Sequence, residues 1–322
     1  MADVAALPAQ RFDHRALSRW LAVNGVYAAL VLVLLVDGVL LDRFLSVDNL
    51  RTQLVQVVPI LIVALGMALV IGTEGIDLSV GAVMAIAAAL LPLYLGYGWV
   101  VAVLVALVAG GLCGVLNGAL VAVVGVQPII ATLALLVAGR GLAIVLAGGQ
   151  SKDILDPTLL SFGSARTFGI PQTVLLAAVL VVVVGLVVRR TTFGRQLLAV
   201  GGNARASRLA GLPVGRTLVA VYAASGVLAA IAGVVATARL NASNPSSIGN
   251  LIELSAITAV VVGGTPLSGG QVRVIGTVAG ALLMQLLQAT LNQFNVPDST
   301  TQVVQALVIV VAVGLQRSGG TP

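Results

Sequence analysis

The sequence is poor in the residues that most catalytic and metal sites require. One cysteine, Cys113, one histidine, His14, and one lysine, Lys152, occur in 322 residues. An internal disulfide, a His/Cys metal cluster and a Ser-His-Asp triad therefore have no basis in this chain. The motif G-x-x-x-x-G-K-[ST] is also absent, which excludes a P-loop for nucleotide. Any ATP hydrolysis linked to this protein must take place in another subunit.

Aromatic and charged residues are also scarce. Aromatics make up 4% of the chain, which leaves no stacking platform for nucleic-acid bases, so no nucleic-acid partner is expected. Charged residues make up 9%, whereas 59% of residues are hydrophobic and the mean hydropathy is +1.12. Such a chain cannot hide its apolar surface in a water-soluble core. It is predicted to be an integral membrane protein surrounded by lipid.

Hydropathy predicts an all-α membrane protein with about ten spanning helices. The first apolar stretch is too long for the core of a signal peptide and lacks a small-residue cleavage site, so it is interpreted as a retained span. The predicted spans are 20–41, 53–71, 78–97, 99–124, 128–147, 172–188, 217–237, 254–266, 273–292 and 301–316.

Arginines predict the orientation of these spans. Residues 189–216 lie between two apolar runs and carry six arginines and no acidic residue. Short loops rich in Lys and Arg stay in the cytoplasm, which places 189–216 and, by counting spans, both termini on the cytoplasmic side of the membrane. The predicted organisation is a cytoplasmic tail 1–19, a transmembrane domain 20–317 that contains the cytoplasmic loop 189–216, and a tail 318–322.

Two glycine-rich segments interrupt apolar runs. Residues 72–81 include two carboxylates, and residues 263–270 follow an unusually short apolar run. Interruptions of this kind are typical of discontinuous helices, which in transporters line the path of the solute. We therefore expect discontinuous helices around 72–81 and 263–270.

Polar residues at membrane depth are the first candidates for a solute path. Glu74, Asp77 and Ser79 lie in the first interruption, and Arg140 lies inside the fifth span. A carboxylate or a guanidinium at this depth requires a partner or an aqueous cavity. By elimination, Glu74 or Asp77 would pair with Arg140. Two structural alternatives stay open: Asp77 caps the third span, and Arg140 reaches back to the lipid headgroups.

Amide side chains form a second group of candidates. Gln285, Gln288 and Asn292 recur at spacings of three and four, which places them on one face of the ninth span. Amides donate and accept hydrogen bonds and so suit a hydroxyl-rich solute, but they also join neighbouring helices. Both interpretations stay open, and the three residues are candidates for a substrate pathway.

The loop 189–216 contains a predicted short helix over 203–212. Asn203 is its expected N-cap and Gly211 its expected C-cap, with a proline beyond. A short amphipathic helix on the cytoplasmic side can lie on lipid headgroups or dock into a groove of another protein. Its apolar face and its opposite, basic face are formed respectively by Ala206, Leu209 and Ala210 and by Arg205 and Arg208.

Four stretches resemble the ribose-type permeases of bacterial ATP-binding-cassette (ABC) importers. In order, they are similar to the family's G-I-D-L-S-V-G, P-x-x-x-T-L with A-R-G, G-x-N-x-x-A-x-x-x-G and G-G-T-S-L-S-G-G motifs. The matching residues are 75–81, 127–141, 202–211 and 263–270. Residues 137–141, 148–150 and 251–254 resemble the galactofuranose permeases more specifically. Two departures occur: Ser255 replaces the aspartate of the family's usual E-L-D-A-I, and Pro266 replaces a common serine.

The resemblance implies a transport subunit that is not itself an enzyme and holds no cofactor. Two copies, or one copy with a related permease, would form a channel for a sugar, a pentose or a furanose such as galactofuranose. A periplasmic-type binding protein would deliver the sugar, and partner ATPases would bind ATP and Mg. Residues 203–212 would then be the helix that couples to the ATPase, and the chain would be a multi-pass protein of a bacterial inner membrane.

Two classes of alternative stay open. One is a proton-coupled secondary transporter that uses Glu74 or Asp77 and needs no ATP. The other is an ABC permease for a nucleoside or for a branched-chain amino acid.

Overall fold

The computed structural model describes residues 14–41 and 44–318 and is mostly helical. Most of the predicted tail 1–19 and the last four residues of the tail 318–322 lie outside the described residues. Within the described part, seven helices are long and apolar enough to cross a membrane. They are Val47–Gly72, Val80–Tyr97, Trp99–Val124, Pro128–Ala147, Gln172–Arg190, Val214–Leu240 and Val274–Gln293.

Each of the ten predicted apolar stretches coincides with a helix. A 3-10 turn, Leu95–Tyr97, extends the third helix, and a π-helical turn, Leu120–Val124, extends the fourth. In chain order the helices are α1 His14–Leu40, α2 Val47–Gly72, α3 Val80–Tyr94, α4 Trp99–Ala119, α5 Pro128–Ala147, α6 Pro157–Ser164, α7 Gln172–Arg190, α8 Thr192–Gly202, α9 Ala204–Leu209, α10 Val214–Leu240, α11 Ile252–Val262, α12 Val274–Gln293 and α13 Asp298–Ser318.

The helices form a bundle with α2, α3 and α10 at its centre. These three helices are apolar on all sides and bury most of their residues, whereas α4, α5 and α7 keep large apolar side chains exposed on their outer faces. A helix that is apolar all round belongs in an interior or in lipid. Glycines let α4 approach the central α10 closely, since a Cβ at Gly110 or Gly114 would meet the backbone of Gly226 or Tyr222.

The two ends of the bundle differ. At one end, the arginine end, α8 and α9 connect α7 to α10. At the other, the strand end, α6 lies beside short antiparallel strands. Since α10 connects the two ends, they are separated by about 40 Å, the length of 27 helical residues. The strands are β1 Lys152–Asp153, which pairs with β4 Ala242–Ser243, and β2 Arg166–Thr167, which pairs with β3 Ile170–Pro171.

The first predicted interruption is observed. After α2 ends at the arginine end, residues 73–79 run without regular helix into the bundle, and α3 starts at Val80. The 15 residues of α3 complete the path to the strand end. This span therefore consists of the irregular segment 73–79 followed by α3.

The second interruption lies elsewhere than predicted. Residues 263–270 form a turn between α11 and α12, with positive φ at Gly264, Gly269 and Gly270. The segment that shortens α11 precedes it: residues 241–251 leave the strand end and enter the bundle alongside α3. Ser243 Oγ donates to Ala88 O at 2.6 Å, and Gly249 lies against Gly81, about 10 Å deeper along α3. The polar composition of 241–251 is typical of an exposed loop, which is why hydropathy alone misplaces the break.

Candidate functional site

Asp77 is part of a polar network inside the bundle. Its Oδ1 accepts hydrogen bonds from the Ser79 backbone N–H at 3.0 Å and from Ser79 Oγ at 2.6 Å. Its Oδ2 accepts one from Ser225 Oγ of α10 at 2.9 Å, and Asn117 of α4 donates to Ser79 Oγ at 2.9 Å. All four residues are buried. Asp77 thus joins the segment 73–79 to α4 and α10.

The network has a defined depth and a local role. Ser225 lies about 17 Å along α10 from its start at the arginine end, which places the network well inside the bundle. Ser79 is the residue before α3, so the bond from its N–H to Asp77 forms a turn of the Asx type rather than a cap on the first helical residues. Asp77 and Ser79 are turned toward protein atoms.

Glu74 lies apart from this network. It is exposed, has a φ of +64°, and follows α2 at the arginine end. A Cβ at Gly269 would lie 3.1 Å from Glu74 Cβ, so the residue is next to the turn between α11 and α12. The structure therefore does not bring Glu74, Asp77 and Arg140 together.

Arg140 binds backbone carbonyls rather than a carboxylate. Its Nη1 donates to Pro245 O at 3.0 Å and to Ile248 O at 2.7 Å, and its Nη2 donates to Gly249 O at 2.9 Å. All three acceptors belong to the segment 241–251. Pairing with Glu74 or Asp77, expected by elimination, is replaced by these bonds, because carbonyls that turn inward satisfy the donors of a guanidinium.

The three amides of α12 have different surroundings. Gln285 is buried and donates through Nε2 to Gln53 Oε1 at 3.0 Å and to Gln56 Oε1 at 2.8 Å, which joins α12 to α2. Gln288 is half-buried and faces a cavity. Asn292 is exposed and lies outside that cavity's lining. Along one face of α12, one amide thus joins two helices, the next faces the cavity, and the third is exposed.

A cavity, which we name the solute cavity, lies between segment 241–251 and α13. It has a volume of about 310 Å³, within the range of sites for small molecules. Hydroxyl and amide groups dominate its polar lining, and none of the described lining residues is charged. The lining consists of Ile60, Ser247, Gly249, Asn250, Leu251, Ile252, Ser255, Gln288, Thr301, Gln302 and Gln305. The position where the family usually has aspartate, Ser255, thus belongs to this cavity.

Glycines pack backbone against backbone at the arginine end. Gly270 N donates to Gly72 O at 3.0 Å. A Cβ at Gly201 would lie 2.7 Å from Gly270 N and closer still to Gly72 O, and a Cβ at Gly269 would lie 2.7 Å from Gly201 O. We call these four residues the glycine junction. It joins the end of α8 to the end of α2 and to the turn after α11.

Helix α9 leaves the glycine junction and projects outward. Asn203 caps it, with its Oδ1 accepting from Ala206 N at 2.8 Å, as predicted. The helix ends at Leu209, earlier than predicted, because Gly211 takes a φ of +80° and Leu212 N bonds back to Ser207 O at 3.0 Å. Gly211 thus lies one residue beyond the C-cap.

The predicted apolar and basic faces of α9 are not opposed by burial, because every residue of the helix except Ser207 is exposed. Ser207 is buried against the bundle, whereas the predicted apolar residues and both arginines point outward. Leu209 is 83% exposed, which is costly for leucine in water. A shallow recess on this surface is lined by Ala204, Arg205, Arg208 and Leu209. Ala206 and Ala210 are exposed beside it.

Two buried carboxylates were missed by the sequence analysis. Asp37 of α1 accepts from Thr290 Oγ of α12 at 2.8 Å through both of its oxygens. Glu253, in the first turn of α11, is buried, and its Oε2 has no hydrogen-bond partner among the described residues. An acidic residue inside an apolar run is a signal that could have identified Asp37. The same signal was present at Glu253, which stands among the apolar residues Leu251, Ile252 and Leu254 at the start of α11.

Known proteins match almost the whole chain. Residues 49–313 match the family described as the permease component of the branched-chain amino acid transport system. The galactofuranose transporter permease protein of Escherichia coli K12 is 38% identical over 90% of this chain and 88% of its own length. The fructose import permease protein of Bifidobacterium longum is 36% identical over 98% and 93%. The ribose import permease protein of Escherichia coli K12 is 36% identical over 91% and 93%.

No solved structure gives a significant match. The region matched to the family begins in α2 and ends in α13, so it contains the Asp77 network, Arg140, the solute cavity and α9. The stretches that resemble ribose-type permeases, from 75–81 to 263–270, fall inside it. The chain is a multi-pass membrane permease and belongs to the family of branched-chain amino acid transport system permease components.

Proposed function

We propose that this chain is the membrane subunit of a bacterial ABC importer and that it carries a sugar through the solute cavity. The uncharged hydroxyl and amide lining of that cavity supports a sugar most directly. A zwitterionic amino acid would leave its ammonium and carboxylate without charged partners there, at a cost of several kcal/mol. The names of the galactofuranose, fructose and ribose permeases agree with this choice.

The proposed topology has ten crossings. Helices α1 and α13 cross in addition to the seven long apolar helices, and segment 241–251 with α11 forms the tenth crossing. The arginine end lies in the cytoplasm, because a short loop with six arginines and no acid is retained there. Both termini are then cytoplasmic, and the strand end faces the periplasm and a sugar-loaded binding protein.

A second permease closes the cavity. Thr301, Gln302 and Gln305 of α13 form one wall of it. On the same helix, apolar residues at spacings of four and three stay exposed, namely Val303, Leu307 and Val310. Such a stripe supports packing against another helix. A second copy of this chain or a paralogous permease would cover the stripe and complete the channel.

Helix α9 couples the permease to a partner ATPase that binds ATP and Mg. Its exposed Leu209 enters a groove of the ATPase, and Arg205 and Arg208 face acidic groups there. Motion of α9 reaches the glycine junction through Gly202 and Asn203. Because the junction contacts both α2 and the turn after α11, one displacement acts on the start of segment 73–79 and on the turn between α11 and α12.

The decisive experiment is reconstitution. The permease is placed in proteoliposomes with the ATPase and the binding protein encoded beside it, and uptake of radiolabelled ribose, fructose and galactofuranose is measured. We expect uptake that requires ATP and the binding protein. The double variant Arg205→Glu with Arg208→Glu should lose uptake and binding-protein-stimulated ATP hydrolysis while it still inserts. Arg216→Glu, an exposed arginine outside α9, serves as the matched control.

Two results would contradict the proposal. Uptake by the permease alone, driven by a proton gradient, would make it a secondary transporter. ATP hydrolysis that the sugar-loaded binding protein leaves unchanged in the wild-type complex would remove the basis for coupling through α9.

A further inference from the structure

Arg140 connects α5 to the wall of the solute cavity. Its three hydrogen bonds, of 2.7 to 3.0 Å, end on Pro245, Ile248 and Gly249. The residues of the same segment that line the cavity are Ser247, Gly249, Asn250 and Leu251. Arg140 itself is not a lining residue. Any effect of Arg140 on the solute therefore acts through the position of segment 241–251.

The segment has little regular structure of its own to fix it. Leu251 and Asn241 have φ values of +55° and +54°, a region that costs non-glycine residues energy unless the surroundings hold them there. The start of the segment is fixed by the bond from Ser243 Oγ to Ala88 O, and Gly249 packs against Gly81. Between these points the backbone bonds of the described residues are local turns, such as those from Ser247 N and Ile248 N to Asn244 O. A planar guanidinium can span several carbonyls at once, which a local turn cannot do.

Glu253 is near Arg140 but is not bonded to it. A Cβ at Gly81 would lie 2.6 Å from Glu253 Oε2 and 3.4 Å from Arg140 Nη2, so both groups border the same glycine. Among the described residues, no ion pair joins them within 4.0 Å. Arg140 therefore donates its hydrogen bonds to the carbonyls. Its hydrogen bonding to the segment can be tested separately from its charge interaction with Glu253.

We propose that Arg140 is the positioning residue of the solute cavity: its guanidinium fork holds segment 245–249 in place, and it does so without contacting the sugar. The inference rests on the proposed function, because it assigns the cavity wall to the transport path. It predicts that the directed donors of Arg140 matter more than its positive charge.

Three variants separate the fork from the charge. Arg140→Gln removes both, and Arg140→Lys keeps the charge but cannot reach three carbonyls in one plane. Glu253→Gln removes the neighbouring negative charge and leaves the fork intact. We expect uptake at subsaturating sugar to fall about tenfold in Arg140→Gln and nearly as far in Arg140→Lys. Glu253→Gln should stay within about twofold of wild type, because no ion pair joins Glu253 to Arg140 within 4.0 Å among the described residues and the three carbonyl bonds remain. Arg166→Gln, at an exposed arginine of β2, is the matched control.

A second readout does not depend on transport. In a Cys113→Ala background, Ile248→Cys places a thiol on the held segment at a buried position, and Ser246→Cys places one at an exposed position. A membrane-impermeant maleimide should label position 246 equally with and without Arg140→Gln. Labelling of position 248 should rise about fivefold in Arg140→Gln and in Arg140→Lys, because the segment opens locally. Equal labelling of position 246 shows that the reagent reaches the segment in every variant, and an unchanged melting temperature in detergent shows that the variants are folded.

The outcomes are distinguishable. Wild-type uptake in Arg140→Lys together with a loss in Glu253→Gln would assign the role to the ion pair and overturn the proposal. Labelling of position 248 that stays low in both arginine variants would overturn it as well. If the wild-type complex imports no sugar, the proposed function fails, whereas the labelling result still decides whether Arg140 holds the segment.

Discussion

The glycine junction and the segment 241–251 are both held in place inside the bundle, but by opposite kinds of contact. At the junction, backbones of Gly72, Gly201 and Gly270 touch with no room for a methyl group. The segment 241–251 is held by a side chain, Arg140, and borders an open cavity. Close-packed interiors transmit displacement, whereas polar tethers beside a void can rearrange. We therefore expect the arginine end to transmit displacement, and the cavity wall to keep its shape only while Arg140 holds it.

The largest expected effect comes from adding one methyl group to the junction. In Gly201→Ala the new Cβ overlaps the backbone of Gly72 and Gly270, which cannot yield as a side chain would. Overpacking of this kind costs about 1–3 kcal/mol or more. We expect a clear drop in the melting temperature in detergent and a loss of ATP-driven uptake by more than about tenfold.

The neighbouring glycine provides the control. Gly202→Ala places its methyl group where no heavy atom of the described residues lies within 4 Å, on an exposed surface of the same helix. It should leave the melting temperature and uptake unchanged or slightly raised. Equal behaviour of the two alanine variants would show that the junction is not rigid, and the contrast with the cavity wall would disappear.

The second effect concerns the buried network between these two regions. Asp77→Ala leaves the Ser79 N–H and the hydroxyls of Ser79 and Ser225 without their acceptor, at about 1–3 kcal/mol for each group that stays unsatisfied. Asp77→Asn keeps one acceptor for Ser79 and can donate to Ser225. We expect a large loss of thermal stability in the alanine variant and a small one in the asparagine variant.

Uptake by Asp77→Asn also tests the secondary-transporter alternative. A structural Asp77 predicts that ATP-driven uptake follows stability and is largely kept. Normal stability with abolished uptake would instead assign the carboxylate a role in transport, such as carrying a proton.

The third effect is confined to the cavity. Gln288→Leu removes an amide that faces the cavity, and one hydrogen bond to a sugar hydroxyl is worth about 0.5–1.5 kcal/mol. The sugar concentration for half-maximal uptake should rise about two- to tenfold, with thermal stability unchanged. Asn292→Leu, one turn along the same helix, exposed and outside the lining, should change neither. A shift as large in Asn292→Leu would place the sugar path along another face of α12.

Local features were predictable from the sequence, and distant ones were not. Each apolar stretch became a helix because hydrophobicity over some twenty residues is a sufficient signal. Asn203 was predicted as a cap because its partner, Ala206, is three residues away. The partners of Arg140 are 105 to 109 residues away and are carbonyls, which every residue has. No residue type marks such an acceptor, so elimination led to the carboxylates instead.

The same limit explains the other differences. Segment 241–251 has the Asn and Ser content of an exposed loop, and its inward path depends on Gly81 and Ala88 of α3. The 11-residue helix α8 was not predicted, because it contains three glycines, and glycine weakens a helical pattern. The role of Gly201 is visible only in the folded chain, where the backbones of α2 and of the turn 263–270 lie against it.

The smallest expected effect tests how force enters the rigid region. Asn203→Ala removes the cap of α9, which is worth about 1 kcal/mol, and so frays the helix without touching its outer surface. We expect ATP hydrolysis stimulated by the binding protein to fall about two- to fivefold, with uptake falling in the same ratio. Asn203→Ser can still accept the bond from Ala206 N and should remain near wild type. If serine and alanine variants lose activity equally, the Asn203 side chain contacts the ATPase directly, and α9 does not need its cap to move the glycine junction.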